Sequence, residues 1–252
     1  GEIVVWSNIH DTNSKTSVKG TLKAEGGKIK GNGGRIETSG HNIDINNIKI
    51  STKSTAGVDG QWLIDPYNIT ISNNGGSNSS EINASYTATG DSAIVDVGTL
   101  ETALASSNIT VFTGNSGFQN GDITVQDPIS SNSSNDLTLD SHGDIIIDAN
   151  ITRSGSGGLV LNANSNQVRG TGTINLASGS SISAETGVTV QNNINLTSSG
   201  NVNFGGTGTS TYSGSISGLG NINKVDSGTI ILNGSNSYSG STLVNAGTLR
   251  ID

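Results

Sequence analysis

Cysteine and methionine are both absent from this chain of 252 residues, proline occurs twice, and aromatic residues amount to 4%. The missing cysteine excludes a thiol nucleophile, a disulfide framework and cysteine-ligated zinc. Charged residues are also scarce, at 13%. Disordered chains of low hydrophobicity usually carry more charge than this, and so few aromatics and charges argue against an ordinary mixed α/β enzyme. No apolar run approaches the roughly 18 residues of a membrane-spanning helix, and no signal peptide opens the sequence. With no methionine even at position 1, the expectation is an internal fragment whose targeting signals lie outside it.

What is abundant is glycine, 36 residues, set among short alternating runs of Ile, Val and Leu. Alternation with period two makes half-buried strands, and these strands repeat. From residue 121 the apolar beats are Ile123-Thr124-Val125, Ile129 and Leu137-Thr138-Leu139. The same series returns as Ile145-Ile146-Ile147, Ile151 and Leu159-Val160-Leu161. It returns again as Val168, Ile174-Asn175-Leu176 and Ile182, and a fourth time as Val188-Thr189-Val190, Ile194-Asn195-Leu196 and Val202-Asn203-Phe204. Three strands per period of about 20–23 residues describe an all-β, right-handed parallel β-helix. In each triplet the outer residues, such as Leu137 and Leu139, enter the core, and the middle one, Thr138, faces water. Corners fall on Gly, Asn and Ser, which accept turn conformations. An antiparallel β-sandwich is the competing fold, but it predicts two-residue hairpins rather than a three-beat phase.

The whole chain is expected to form one rod, with roughly 20–28 residues per coil. Within it, residues 73–121 are expected to hold a polar loop outside the helix and one short α-helix near Thr99–Ala105, capped by Thr99. Residues 205–252 read as longer coils, with Tyr212-Ser213-Gly214 and Tyr238-Ser239-Gly240 as paired excursions from one corner.

Chemistry-bearing residues are thinly spread. His10, His41 and His142 follow no metal-ligand spacing, and no metal, cofactor or catalytic residue is expected. Asp122 and Asp144 lie one period apart, with Asp136, Asp140 and Asp148 nearby. A polysaccharide-acting enzyme could use paired carboxylates on such a face, but turn preference accounts for Asp equally well. Tyr212 and Tyr238 are the candidate glycan contacts, while Trp6 and Trp62 are expected to be packed. Net charge is −8, and it is uneven. Residues 1–53 carry eight of the twelve Lys and Arg against five acidic residues, a net of +3, leaving −11 for the rest. An acidic body disfavours nucleic acid and anionic membranes, so neither nucleic-acid binding nor membrane insertion is expected. The basic N-terminal stretch reads as a solvated face.

Several segments resemble the exoproteins of bacterial two-partner secretion systems, the filamentous haemagglutinin-like adhesins. They are VVWS at 4–7, GGRIETSG at 33–40, WLIDPYNITI at 62–71, TLETALASSNITV at 99–111, GDITVQDPIS at 121–130 and NDLTLDSHGDIIIDANI at 135–151. Two later segments, YSGSISGLGNINK at 212–224 and SGTIILNGSNSYSGSTLVNAGTLRI at 227–251, look like the passenger-associated strand repeat of autotransporters. The resemblance implies a Gram-negative surface or secreted protein, exported through an outer-membrane β-barrel transporter. It also implies a structural or adhesive shaft that meets a host or bacterial surface receptor or glycan. A cysteine-free chain suits such export, since a disulfide would make a loop too thick for the pore. The family's N-terminal secretion module, with its Asn-Pro-Asn type motifs, is not in this sequence, so no transporter-docking residue carries over. A passive stalk of a contact-dependent toxin is a further alternative.

Overall fold

The computed structural model describes residues 1–8, 11, 13–40, 42–45, 48–65, 68–73, 92–113, 120–164 and 166–252. Among the described residues, 28 strands and one α-helix form a parallel β-solenoid of about nine turns. Among the described residues the strand-to-strand ladders are parallel, and apart from that of Asn68–Ser72 with Ser92–Asp96 they join strands of neighbouring coils. Four sheets make the three faces of the rod: a first face of ten strands, a second of eleven, and a third that comprises a two-stranded and a five-stranded sheet. Nine spacings of about 4.8 Å along the first face give a rod roughly 43 Å long.

Inward positions stack on one another from coil to coil. On the first face the column runs Ile36, Trp62, Ile109, Leu137, Leu159, Ile182, Phe204. On the second it runs Ile69, Ile123, Ile145, Val168, Val190, Tyr212, Leu232. Ile129, Ile151, Ile174, Ile194 and Ile216 supply the third. These side chains are all essentially without solvent contact. A single coil has no partner for its apolar side, so burial comes only from stacking. Outward amides lock the stack axially: Asn195 donates to Asn175 at 3.2 Å, Asn221 to Asn201 at 3.0 Å, and Asn245 to Asn223 at 2.6 Å. Lys224 lies beneath Phe204 in the first-face register and is buried, and its ammonium donates to the carbonyls of Val225, Asp226 and Ala246.

The helix, α1 (Val97–Leu104), takes the place of a strand on the third face. It packs against Ile48–Ser51 on one side and Ile129–Ser131 on the other, burying Val97, Leu100, Ala103 and Leu104. A helix is about 10 Å across, the height of roughly two strands. The second face accommodates this with one extra strand, Ser92–Asp96, which inserts between Asn42–Asp44 and Asn68–Ser72. Chain order and stacking order are therefore reversed at this one level. The helix cap is Asp96, not Thr99: the Asp96 carboxylate accepts from the Thr99 amide at 2.7 Å, and Thr99 is already inside the helix. The loop expected over 73–121 falls largely on residues 74–91 and 114–119, which lie outside the described residues.

Two further expectations are corrected. The C-terminal coils are not longer. Ile194 pairs with Ile216, Val202 with Ile222 and Ser210 with Ile230, steps of 20 or 22 residues, and Ile230 with Leu249, a step of 19. The two Tyr-Ser-Gly copies are parts of the wall on different faces, not excursions. Tyr212 ends the second-face strand Thr209–Tyr212, whereas the amides of Ser237 and Ser239 bond to the third-face carbonyls of Ile216 and Gly218. The long steps lie at the other end, where the first face advances 33 residues from Glu2 to Arg35 and 47 from Gln61 to Asn108.

Candidate functional site

Tyr212 does not present its ring to solvent. It is 1% exposed and meets Phe204 edge-on, with centroids 5.5 Å apart. Its register with Val190 and Leu232 fixes it inward, and burial raises the pKa of its phenol. A ring held there cannot meet a glycan. Tyr238 is half-buried against the core, with its hydroxyl bonded to Thr242 Oγ1. The two rings do not stack on each other. Trp62 is fully buried as expected, with its indole N–H donating to Thr38 Oγ1 at 3.1 Å. Trp6 is 70% exposed, because its strand, Glu2–Trp6, is the outermost of the first face.

The carboxylates hold coils together. Asp122 and Asp144 do stack, and Asp122 Oδ1 accepts the Asp144 amide at 2.9 Å. Asp144 in turn accepts the Gln167 amide on Oδ1 and Arg169 Nε at 2.8 Å on Oδ2, which raises the Arg169 pKa. Asp136 Oδ1 accepts the Gly158 amide at 2.6 Å, and Asp148 Oδ1 accepts the Thr171 amide. Asp140 is held above the usual carboxylate range, first by burial and then by Glu185. His142 is a turn residue: its amide donates to Thr113 Oγ1, and its ring meets Asn164. His10 and His41 lie outside the described residues. Among the described residues, no three His, Asp or Glu side chains converge in a way that could hold a metal.

A shallow, open polar groove of about 450 Å³ lies on the first face. It crosses the coils where they enter the first face. Its walls are Arg35, Gln61, Asn108, Thr110, Asp136 and Thr138, with Asp59 at the rim and Gly33, Gly34 and Gly60 as the floor. Glycine is required there: a Cβ on Gly60 would lie 1.9 Å from the Gly34 carbonyl oxygen, and one on Gly34 would lie 1.9 Å from that of Gly1. The wall residues stand in two ranks set by strand register. Arg35, Gln61, Asn108 and Asp136 form the first, and Thr110 and Thr138 belong to the second. Gln61 Nε2 reaches Thr110 Oγ1 at 2.5 Å, and Arg35 bonds Glu2 and Glu37. The arrangement offers guanidinium, amide, hydroxyl and carboxylate groups about one strand spacing apart. It suits hydrogen bonding to a polyhydroxylated chain. Of the walls, Thr138 was legible as outward-facing in the sequence, whereas Arg35, Gln61, Asn108 and Thr110 belong to the irregular coils.

The stacked coils, amide ladders and parallel faces place the chain among β-solenoid proteins. Residues 222–251 match the passenger-associated-transport-repeat family, so this part of the chain is similar to the repeats of exported passengers. The matched stretch covers the strands Thr229–Leu232, Thr242–Val244 and Thr248–Ile251 and nearly all of Asn221–Lys224, about one and a half coils of the same continuous stack. No curated protein matches the chain.

Proposed function

We propose that this chain is a rigid shaft segment of an exported bacterial surface protein, structural and adhesive in role and without catalysis. The observation that carries the reading is the passenger-repeat match at 222–251, joined in unbroken register to the rest of the solenoid. Stacked coils hold through local contacts, so a chain emerging from a pore can fold coil by coil without an energy source outside the cell. The absence of cysteine supports export through an outer-membrane β-barrel transporter, and the ordered segments between 4 and 151 favour the two-partner route. The first-face groove is the surface we assign to adhesion, with a glycan or a surface receptor as ligand. The engagement of Asp122 and Asp144 in coil-to-coil hydrogen bonds supports a non-catalytic reading.

The test is a glycan array probed with the purified chain, alongside an Asn108→Ala/Asp136→Ala variant. Retention of defined glycans that weakens about tenfold in the variant is expected for two lost polar contacts. Depolymerisation of any array polysaccharide, abolished by Asp122→Asn or Asp144→Asn, would instead establish an enzyme.

A further inference from the structure

A second surface lies at the corner between the third and first faces of the first two coils. Two neighbouring turns protrude there, and they are tied together. Gly31 bridges Ala56, Asn32 Oδ1 accepts the Val58 amide at 3.1 Å, Gly33 N donates to the Val58 carbonyl at 2.9 Å, and Ser54 Oγ donates to the Gly31 carbonyl. At their tips Ile29 is 91% exposed and Val58 is 66% exposed. Lys28 and Lys30 flank Ile29, and Lys53 begins the turn that carries Val58. On the adjoining third face Lys23 and Lys49 also point outward.

Glu25 and Asp59 are the acidic residues of this surface, so it carries five positive charges against two negative. Asp59 is occupied by the Ser54 amide. Glu25 is taken up by Ser51 and Lys23, and Ser51 and the nearby lysines hold its pKa below the ordinary value. Among the described residues, no carboxylate comes within ion-pair distance of Lys28, Lys30, Lys49 or Lys53. A chain of net charge −8 therefore concentrates unpaired cations around two bare aliphatic side chains.

We infer that this corner docks on an anionic phospholipid surface, with Ile29 and Val58 reaching the headgroup region and the lysines meeting the phosphates. Lysine alone would serve any polyanion. The aliphatic tips select lipid, because a branched alkyl side chain gains from leaving water and offers a sugar or a nucleotide base no ring to stack on. No backbone segment enters the bilayer, and the acidic remainder of the rod is repelled from it.

The experiment is co-sedimentation of the 252-residue chain with vesicles of equal parts phosphatidylcholine and phosphatidylglycerol, and with vesicles of phosphatidylcholine alone. Binding to the anionic vesicles only, lost as salt is raised, is expected. Lys28→Gln/Lys30→Gln and Ile29→Ser/Val58→Ser should each weaken it about tenfold or more with unchanged thermal unfolding, since these side chains are exposed. The inference is overturned if the native chain stays in the supernatant or sediments equally with both vesicles. It is also overturned if the serine pair binds like the native chain while heparin or duplex DNA retains both, which would mark a general polyanion site.

Discussion

Asn135 donates from Nδ2 to the carbonyl of Leu104 at 2.9 Å, across 31 residues of sequence. Leu104 is the last residue of α1, whose terminal carbonyls have no partner within the helix. Asn135 is buried, and its own carbonyl accepts Arg153 Nη2 from the next coil. A cationic side chain, a corner amide and a helix C-terminus thus form a relay spanning three successive levels of the rod, with positive charge toward the negative end of the helix.

Asn135→Ala should release the helix without disturbing the coils. The Leu104 carbonyl loses its donor in a dry setting, at a cost of about 1–3 kcal/mol. Amide exchange at Leu100–Leu104 should accelerate, while Leu159–Leu161 keeps its protection. Unchanged exchange in the helix would show that its apolar face alone holds it.

The coil phase predicts a sharp contrast between adjacent residues. Leu139 and Leu161 have no solvent exposure, whereas Thr138 faces outward between Thr110 and Val160. Leu139→Asp or Leu161→Asp should cost more than about 4 kcal/mol, while Thr138→Ser should stay within about 0.5 kcal/mol. Denaturant melts of the variants read this difference, and equal losses at 138 and 139 would contradict the phase.

Asp140 sets a pH dependence of known sign. Burial and Glu185 raise its pKa in the folded state. Its neutral form is therefore favoured by folding: the stabilisation is full below the unfolded-state pKa and is lost as pH rises through the raised folded value. Asp140→Asn should accordingly stabilise the rod at neutral pH, by less than about 1 kcal/mol for a half-exposed group, and the gain should vanish in acid. Thermal melts from pH 3 to 7 would follow it; a gain that grew in acid would refute the assignment.

Gly60→Ala tests the groove floor. The added Cβ would meet backbone of the preceding coil at 1.9 Å, which cannot move aside as a side chain can. A loss of about 1–3 kcal/mol is expected, with a matching drop in glycan retention. Unaltered stability would mean that the corner is looser than described.

The sequence disclosed the solenoid wherever the coils are short and even. Between Ile123 and Phe204 every apolar beat identified the strand it belongs to, because no insertion interrupts the three-face order. What alternation cannot reveal is the face, since all three faces obey the same period of two. That is why the coils over 205–252 read as longer in the sequence than the register of Ile216, Ile222 and Ile230 makes them. It is also why Tyr212 read as a surface ring: the alternation of Thr209 and Thr211 outward with Ser210 and Tyr212 inward is decided by register with Val190 and Leu232. The strand Ser92–Asp96 was illegible because it stacks against chain order. The groove shared that fate, since Arg35, Gln61 and Asn108 become neighbours only across steps of 26 and 47 residues.

The cysteine-free sequence permits a direct trial of the stacking itself. Thr138 and Val160 are Cα partners in parallel strands, 22 residues apart and both outward. Adjacent strands lie about 4.8 Å apart, within the reach of a disulfide. Thr138→Cys/Val160→Cys should oxidise to an intramolecular crosslink in nearly every molecule, as should Val160→Cys/Ser183→Cys one coil further on. Coils winding in one direction over a common core require both crosslinks. Free thiols in both variants under oxidising conditions would contradict the solenoid and every pairing drawn from it.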